Sequence, residues 1–414
     1  MRAEYMKLVF VNRFFYPDHS ATSQMLTDLG LHFAKSGRAV LVVTGRQVYD
    51  DPAVALPARS TVEGVEILRV WTSRFGRGRL WGRAIDYGTF YLSALWCLLK
   101  HVRPGDVIVA KTDPPLISVL AAVVSKIRGA VLINWIQDLF PEVASALAVQ
   151  GAGWLEQPLR NLRNRSLRAA RCNVVIGEGM ANKLRDEGLP PNAIRVIHNW
   201  ADGLAIRPVE REKNDLRIAW GLQNKFVVGY SGNFGRAHEF ETILSAAGLL
   251  RVEHHIAFLF IGAGAQLEWM KQEVEKRNLK NVFFKPYQPR DRLAVSLSVP
   301  DIHLISLQPA LEGLIVPSKF YGIAAAGRPT FFIGSTNGEL SRILQESDCG
   351  FSMEIGQADK ATHILKQLAK DPDTCTRLGQ HARALFDRRF STQHAMREWD
   401  SLIAGTTDSI PQTF

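Results

Sequence analysis

Two stretches carry residue types that can hold a phosphate. Val228-Gly-Tyr-Ser-Gly-Asn-Phe-Gly235 is a β-branched run entering a glycine turn, with Arg236 directly behind it. Glycines at Gly232 and Gly235 let a backbone approach a diphosphate, and a helix from about Glu239 would present free N–H groups there. The same residues also describe an ordinary tight strand–helix turn. Gly262-Ala-Gly264 closes another strand, a weaker signal of the same kind. The second stretch is Glu312-Gly-Leu-Ile-Val-Pro-Ser-Lys-Phe-Tyr-Gly-Ile-Ala-Ala-Ala-Gly-Arg-Pro329. Ser318 and Lys319 at a helix start suit a phosphate, and the small residues after them let that helix pack closely on a sheet. Packing explains Ala324–Gly327; it explains a loop holding both Glu312 and Lys319 less well. Neither GxGxxG nor GxxxxGK[ST] occurs, which argues against a P-loop ATPase.

Such residues need a scaffold. In the first half, short β-branched runs alternate with helical stretches: Leu8–Val11, a loop, the amphipathic segment Ser23–Ser36, then Ala39–Thr44, Asp106–Ala110, Val131–Trp135, Asn173–Ile176 and Ile194–Ile197. The second half restarts the rhythm at Phe226–Tyr230, His255–Ile261, Val282–Phe284, Ile302–Leu307 and Thr330–Ile333. Strands alternating with helices at this spacing predict parallel sheets with right-handed crossovers. At 414 residues the chain outgrows one core. The expected fold is therefore α/β, two Rossmann-like doubly wound domains facing across a cleft, with ligands at the carboxyl ends of the strands. Residues 1–203 form the first domain and 204–389 the second. The charged span Leu204–Leu222 reads as the linker, and an amphipathic helix at about 390–414 packs back on the first domain.

Four separated cysteines without CxxC or Cys/His spacing read as buried thiols rather than a zinc site or disulfides. Asp50-Asp51 reads as a surface turn, and His254-His255 lacks metal-ligand spacing. No signal peptide is visible, and Tyr87–Leu99, the longest uncharged apolar run, is shorter than the roughly 20 residues of a membrane-spanning helix.

The sequence resembles family 4 of the retaining glycosyltransferases, whose two-Rossmann architecture is called GT-B. It is closest to the capsule, O-antigen and colanic-acid branch of that family. The resemblance runs through Phe15-Tyr-Pro-Asp18, Asp138-Leu-Phe-Pro-Glu142, His198-Asn-Trp200, Ser231-Gly-Asn-Phe-Gly235 and Pro317-Ser-Lys319, in that order. It implies a donor site of Gly232, Asn233, Gly235, Arg236, Gly262, Ser318, Lys319 and Gly322, with Glu312, Lys319, Arg236 and Asp138 as catalytic residues. The family's Glu–x7–Glu pair is altered here. Gly322 stands where the ribose-holding glutamate is usual, and Glu312 matches the first glutamate with two extra residues between. Asn233 stands near the usual arginine, and Arg236-Ala-His-Glu239 fills the region of the usual lysine. Many members carry a histidine after the strand that here ends in Trp135-Ile-Gln-Asp138, so Asp138 is implied as the acceptor-side polar group. An N-cap role with Glu142 is nearly as good a reading. Tyr16, Asp18 and His19 follow the first strand and face the acceptor.

The implied reaction moves a hexose or N-acetylaminosugar from a nucleoside-diphosphate sugar, UDP favoured, to a polyprenyl-diphosphate-linked saccharide, with the nucleotide sugar as co-substrate and neither metal nor other cofactor. A nucleotide-sugar epimerase or hydrolase of the same fold, or a non-catalytic nucleotide-sugar-binding scaffold, would use many of the same residues. The net charge of +10 bears on partners. Residues 1–200 hold 25 basic and 16 acidic residues and the remainder 25 and 24, so the excess lies in the first half. Arg74, Arg77, Arg79 and Arg83 interleave with Phe75 and Trp81, a pattern suited to an anionic lipid surface. Arg160, Arg163, Arg165, Arg168 and Arg171 form a second cluster. Tyr87–Leu99 reads equally as a core helix. No nucleic-acid module is present, and basic plus aromatic residues alone do not separate RNA from lipid; the resemblance implies the inner face of the cell membrane, reached from the cytoplasm, as the partner, and not nucleic acid.

Overall fold

Continuous runs of Val, Ile, Leu and Phe form strands covered on both faces, which is the environment of a parallel sheet. The computed structural model describes residues 6–18, 20–48, 54–76, 80–147 and 152–407; His19, Arg77, Arg79 and the Asp50-Asp51 turn lie outside the described residues. The chain divides into two compact units, Met1–Ile197 with Met396–Phe414, and His198–Ala395.

The first unit holds β1 (Leu8–Val11), β2 (Val40–Gly45), β3 (Arg59–Val62), β4 (Val65–Val70), β5 (Val107–Lys111), β6 (Val131–Ile136), β7 (Cys172–Val175) and β8 (Ile194–Val196), in the order β3-β4-β2-β1-β5-β6-β7-β8. All pairs are parallel except β3 with β4. Val9 and Val11 pack on one face with Phe90, Leu98 and Val124, while Phe10 meets Phe33 on the other. The β3–β4 hairpin escapes a reading of parallel units. It turns at Glu63 and Gly64, whose φ values of 44° and 87° suit the tight turns that match strand twist.

In the second unit β9 (Phe226–Ser231), β10 (Ile256–Ile261), β11 (Val282–Lys285), β12 (Ile302–Ser306), β13 (Thr330–Ile333) and β14 (Gly350–Met353) form an all-parallel sheet in the order β11-β10-β9-β12-β13-β14. Winding reverses between β9 and β12 here, and between β1 and β5 in the first unit. Such reversals leave a crevice at the carboxyl ends of the strands.

Two expectations are corrected. The span 204–222 is no free linker: Asn214 caps the short helix Asp215–Ala219, and the buried Arg217 bonds the Asp301 carboxylate at 2.8 Å. The arginine cluster at 160–171 is only partly an open basic face: Arg165, Arg168 and Arg171 are exposed, but Arg160 and Arg163 are paired. Arg163 makes a bidentate pair with Glu142 at 2.9 Å and reaches Glu187 at 2.7 Å, while Arg160 joins Glu187 at 3.1 Å. A buried guanidinium needs carboxylate partners, and folding brings them from other parts of the chain.

Candidate functional site

The switch between β9 and β12 gathers most of the donor-side residues. The chain leaves β9 through Gly232 (φ 133°) and β10 through Gly262 (φ 141°), both in backbone space that other residues avoid. The two turns touch: a Cβ on Gly262 would lie 2.1 Å from the Gly232 carbonyl oxygen. A Cβ on Gly232 would lie 2.5 Å from Cε of Lys319, whose stem crosses this bare backbone. Lys319 opens the helix Lys319–Ala325. Its Nζ is 2.8 Å from Nε2 of His238 and 4.7 Å above the Tyr230 ring. Desolvation pulls the Lys319 ammonium down to about 7.

His238 itself is oriented from behind. Its Nδ1 lies 2.6 Å from the Ser306 carbonyl oxygen at the end of β12. Burial, then the neighbouring Lys319, lower its pKa to about 4. A carbonyl only accepts, so Nδ1 carries the proton and Nε2 accepts from Lys319. Gln266 donates to the carbonyls of Gly235 (2.7 Å) and His238 (3.0 Å), and the Tyr230 hydroxyl donates to that of Asn233 (2.8 Å), which fixes the turn.

Asn233, Arg236 and Ser318 are exposed around this turn. The free helix start expected near Glu239 is corrected: the helix runs Glu241–Leu249, and its Thr242 N–H donates to Glu239 Oε1 at 2.8 Å. Glu312 is half-buried and also engaged, its Oε1 accepting from the Glu339 N–H at 2.8 Å. That bond caps the helix Glu339–Glu346, so a carboxylate expected on a sugar is tied down on one oxygen. Gly322 lies inside the helix that Lys319 opens, where a Cβ would meet Leu297 Cδ1 at 3.4 Å, an ordinary contact. The residue pattern gives His238 no role of its own; its place in Arg236-Ala-His-Glu239 is the only signal.

In the first unit, Asp138 follows β6. Pro141, not Asp138, precedes the helix Glu142–Ala146, and Glu142 is held by Arg163, so the capping pair does not form. Desolvation, then repulsion from Asp113, push the Asp138 carboxyl up to about 6, with Lys111 opposing. The side chain reaches solvent. Asp138 borders a cavity of about 30 Å³ with Thr112, Asn134, Trp135 and Arg163. Lys111, which nothing in the sequence singles out, is fully buried; its Nζ sits 3.5 Å over the Trp135 ring, without a hydrogen-bond partner among the described residues. Tyr16 is exposed. Asp18 is corrected to a buried turn residue whose Oδ1 accepts from the Ser20 N–H (2.8 Å) and hydroxyl (2.5 Å).

The helix Leu80–His101 serves both readings of its apolar run. Phe90, Ala94 and Leu98 are buried, while Trp81 (83% exposed), Ile85, Leu92 (71%) and Trp96 (74%) lie along the other face at helical spacing. Val123 and Ile127 of the neighbouring helix Ile117–Arg128 are exposed too. Asp86 accepts from Ser73 Oγ (2.6 Å) and from the Phe75 and Gly76 N–H groups (both 3.0 Å), anchoring a segment whose Trp71 and Phe75 rings stand in solvent. Arg74, Arg83, Lys100 and Lys126 are exposed on the same segments.

Residues 21–200 match the Glycosyl transferase 4-like domain and residues 212–385 the Glycosyl transferases group 1 family. Probable glycosyltransferase WbjE of Pseudomonas aeruginosa is 29% identical over 256 residues, 62% of this chain and 64% of WbjE. WcaI of Escherichia coli (strain K12), whose name assigns it to colanic acid biosynthesis, is 25% identical over 273 residues, 64% of this chain and 66% of WcaI. The matches thus span just under two thirds of these relatives' own lengths. Sucrose-phosphate synthase from Thermosynechococcus elongatus superposes with a TM-score of 0.76 at 15% identity, covering 98% of this chain and all of that one. HepE of Anabaena, in complex with UDP and glucose, gives 0.71 at 15% identity over 97% of this chain and 100% of that one. At such identities the likeness shows the fold.

Proposed function

The chain belongs to family 4 of the glycosyltransferases, with the GT-B architecture, and from that membership we propose that it transfers a hexose or N-acetylaminosugar, with retention, from a nucleoside-diphosphate sugar to a lipid-linked saccharide in cell-surface polysaccharide synthesis. The observation that carries this reading is the Lys319 ammonium laid across the Gly232 turn at the β9–β12 switch. A diphosphate bound there meets bare backbone on one side and a fixed cation on the other. As the sugar–phosphate bond breaks, charge grows on the leaving oxygens, and Lys319 with the exposed Arg236 stabilises it. UDP is the favoured nucleotide, in keeping with the UDP complex of HepE.

Retention asks that the acceptor hydroxyl approach the face the diphosphate leaves, which is a matter of positioning more than of a strong base. Asp138, with its raised pKa, is the proposed acceptor-side group. Glu312 orients sugar hydroxyls through the oxygen that Glu339 leaves free. The acceptor's lipid gives meaning to the exposed strip of Trp71, Phe75, Trp81, Leu92 and Trp96. Apolar rings held in solvent beside Arg74, Arg83 and Lys100 suit an anionic bilayer interface at the inner face of the cell membrane.

Thermal-shift measurements with UDP, GDP, dTDP and their sugar conjugates test the donor site. A ligand that binds only the folded form raises stability by about 2.7 kcal/mol at a hundredfold excess over its Kd. A single responder fixes the donor class; no responder overturns the reading and favours a non-catalytic scaffold. Flotation with anionic vesicles tests the surface: a variant with Trp81, Leu92 and Trp96 changed to serine is expected to stay in the soluble fraction. Equal flotation of both proteins removes that strip from the membrane reading.

A further inference from the structure

We propose that His238 is the positioning residue of the donor site, holding Lys319 by one N–H so that its remaining two meet the donor's diphosphate. The inference rests on the donor reading above and concerns a residue with no assigned part in it.

An ammonium on a four-carbon stem has many orientations, and an anion site built from it works best when that freedom is already spent. Here three features spend it. The Gly232 backbone leaves room for the stem alone, the Tyr230 ring lies 4.7 Å below Nζ, and His238 Nε2 accepts one proton at 2.8 Å. His238 is the one hydrogen-bond partner of Nζ among the described residues, so two N–H donors stay available.

The chemistry of this partner matters as much as its place. A carboxylate here would also hold Lys319, but it would neutralise the cation and repel an arriving diphosphate. A neutral imidazole directs the ammonium without adding negative charge. Its neutrality and tautomer are both set by the fold, through burial and the 2.6 Å bond from Nδ1 to the Ser306 carbonyl. The other titratable groups around the turn do not compete. Glu239 is bonded to the Thr242 N–H and Glu312 to the Glu339 N–H, Tyr230 offers only its ring, and Arg236 is exposed. Loss of water is what lowers the Lys319 pKa. The arrangement therefore links donor binding to protonation: the charged form of Lys319 binds, so affinity declines as pH rises through about 7.

Calorimetric titration of the full chain with UDP, or with whichever of GDP and dTDP binds, tests this across neutral pH in the wild type and its variants. His238→Phe keeps a ring but removes the acceptor. It is expected to weaken binding roughly 10-fold, the order of one hydrogen bond to a charged group. It is also expected to move the alkaline loss of affinity to lower pH, because the charged form of Lys319 loses its partner. His238→Gln presents an amide oxygen where Nε2 stood and is expected to recover most of both effects. A purely packing role would lower the melting temperature and leave the pH profile in place. Wild-type affinity and pH profile in His238→Phe would overturn the inference. Should that variant fail to fold, the same failure of the pH profile to move in His238→Gln and in His238→Asn, which cannot reach Lys319 in the same way, would overturn it. Lys319→Ala separates the two levels: lost binding there with wild-type behaviour in His238→Phe refutes only the positioning role. Unchanged binding in Lys319→Ala refutes the donor reading, and this inference with it.

Discussion

Both sheets reverse their winding once, and both place basic side chains at that point, yet the two places are built for different ends. Between β9 and β12, glycines clear the backbone and Lys319 lies across them, half-buried, with a neutral acceptor behind it. Between β1 and β5 the space is filled. Arg13 is buried against the rings of Phe14 and Tyr87 with Gln47 at 3.3 Å and Asp86 at 3.8 Å, and Lys111 is sealed over Trp135. The rule that ligands bind at such a switch therefore names a location only. Whether a cation there is ready for a ligand depends on what clears the backbone and on what kind of partner spends the cation's donors.

The comparison breaks most readily at the two lysines. Lys319→Ala is expected to lower turnover at least 100-fold, the scale of one lost transition-state contact, as read in a transfer assay once the donor is known. Lys111→Met removes a fully buried amine, pushed toward its neutral form by burial and without a hydrogen-bond partner among the described residues, and leaves a side chain of similar length. Taking an unsatisfied polar group out of the interior removes a desolvation cost of about 1–3 kcal/mol. Its melting temperature is expected to hold or rise, with nucleotide affinity unchanged. Loss of nucleotide binding in Lys111→Met would mean that the filled switch acts on the donor after all.

The glycines sharpen the contrast next. Gly262→Ala sets a methyl group 2.1 Å from a carbonyl oxygen at a strained φ, so the backbone itself must move. A loss of about 2–4 kcal/mol on denaturant unfolding is expected. Gly232→Ala meets a flexible side chain instead, at Lys319 Cε. Its signature is weakened nucleotide binding out of proportion to a smaller loss of stability. Equal stability losses in the two, with equal affinities, would show that Lys319 does not depend on the bare turn.

A smaller effect follows from the pKa of Lys319. In the folded chain it falls to about 7 from 10.5, so between those values the unfolded chain binds more protons. Free-protein stability then rises with pH through this window, a contribution already lost below it. Lys319→Met is expected to show a shallower rise between about pH 7 and 8 than the wild type. Saturating nucleotide, by favouring the charged ammonium, is expected to flatten the wild-type slope as well. Parallel slopes in all three samples would mean that the lysine stays charged in the free protein.

The elements legible in the sequence are those whose signal is local. Central strands such as β1, β9 and β12 announce themselves by continuous apolar runs, and the Gly232 turn and Lys319 by residue type. The features that are not legible there depend on partners far along the chain. The Lys319–His238 contact joins residues 81 positions apart. Arg163 reads as part of a basic patch until Glu142 and Glu187 arrive, 21 and 24 positions away. Asp18 has the composition of a ligand-facing loop and is consumed by its own turn. A local window gives a charge its position, but only the tertiary partners decide whether it is spent.

Gly322 offers the finest test of where the donor lies, because it departs from the family pattern without steric compulsion. It sits one turn beyond Lys319 on the same helix, and a side chain there meets Leu297 in ordinary contact. A glutamate should therefore be accommodated, and resemblance to the family implies that its carboxylate would reach the ribose. Gly322→Glu is expected to tighten UDP binding roughly 3- to 10-fold, the worth of one added hydrogen bond. Most of that gain should vanish with a 2′,3′-dideoxyribose analogue, since the carboxylate can accept only from a hydroxyl. A gain that survives the loss of the hydroxyls would be electrostatic or conformational in origin. No gain would place the ribose away from this helix turn, so that the nucleotide would leave the Lys319 anchor in another direction.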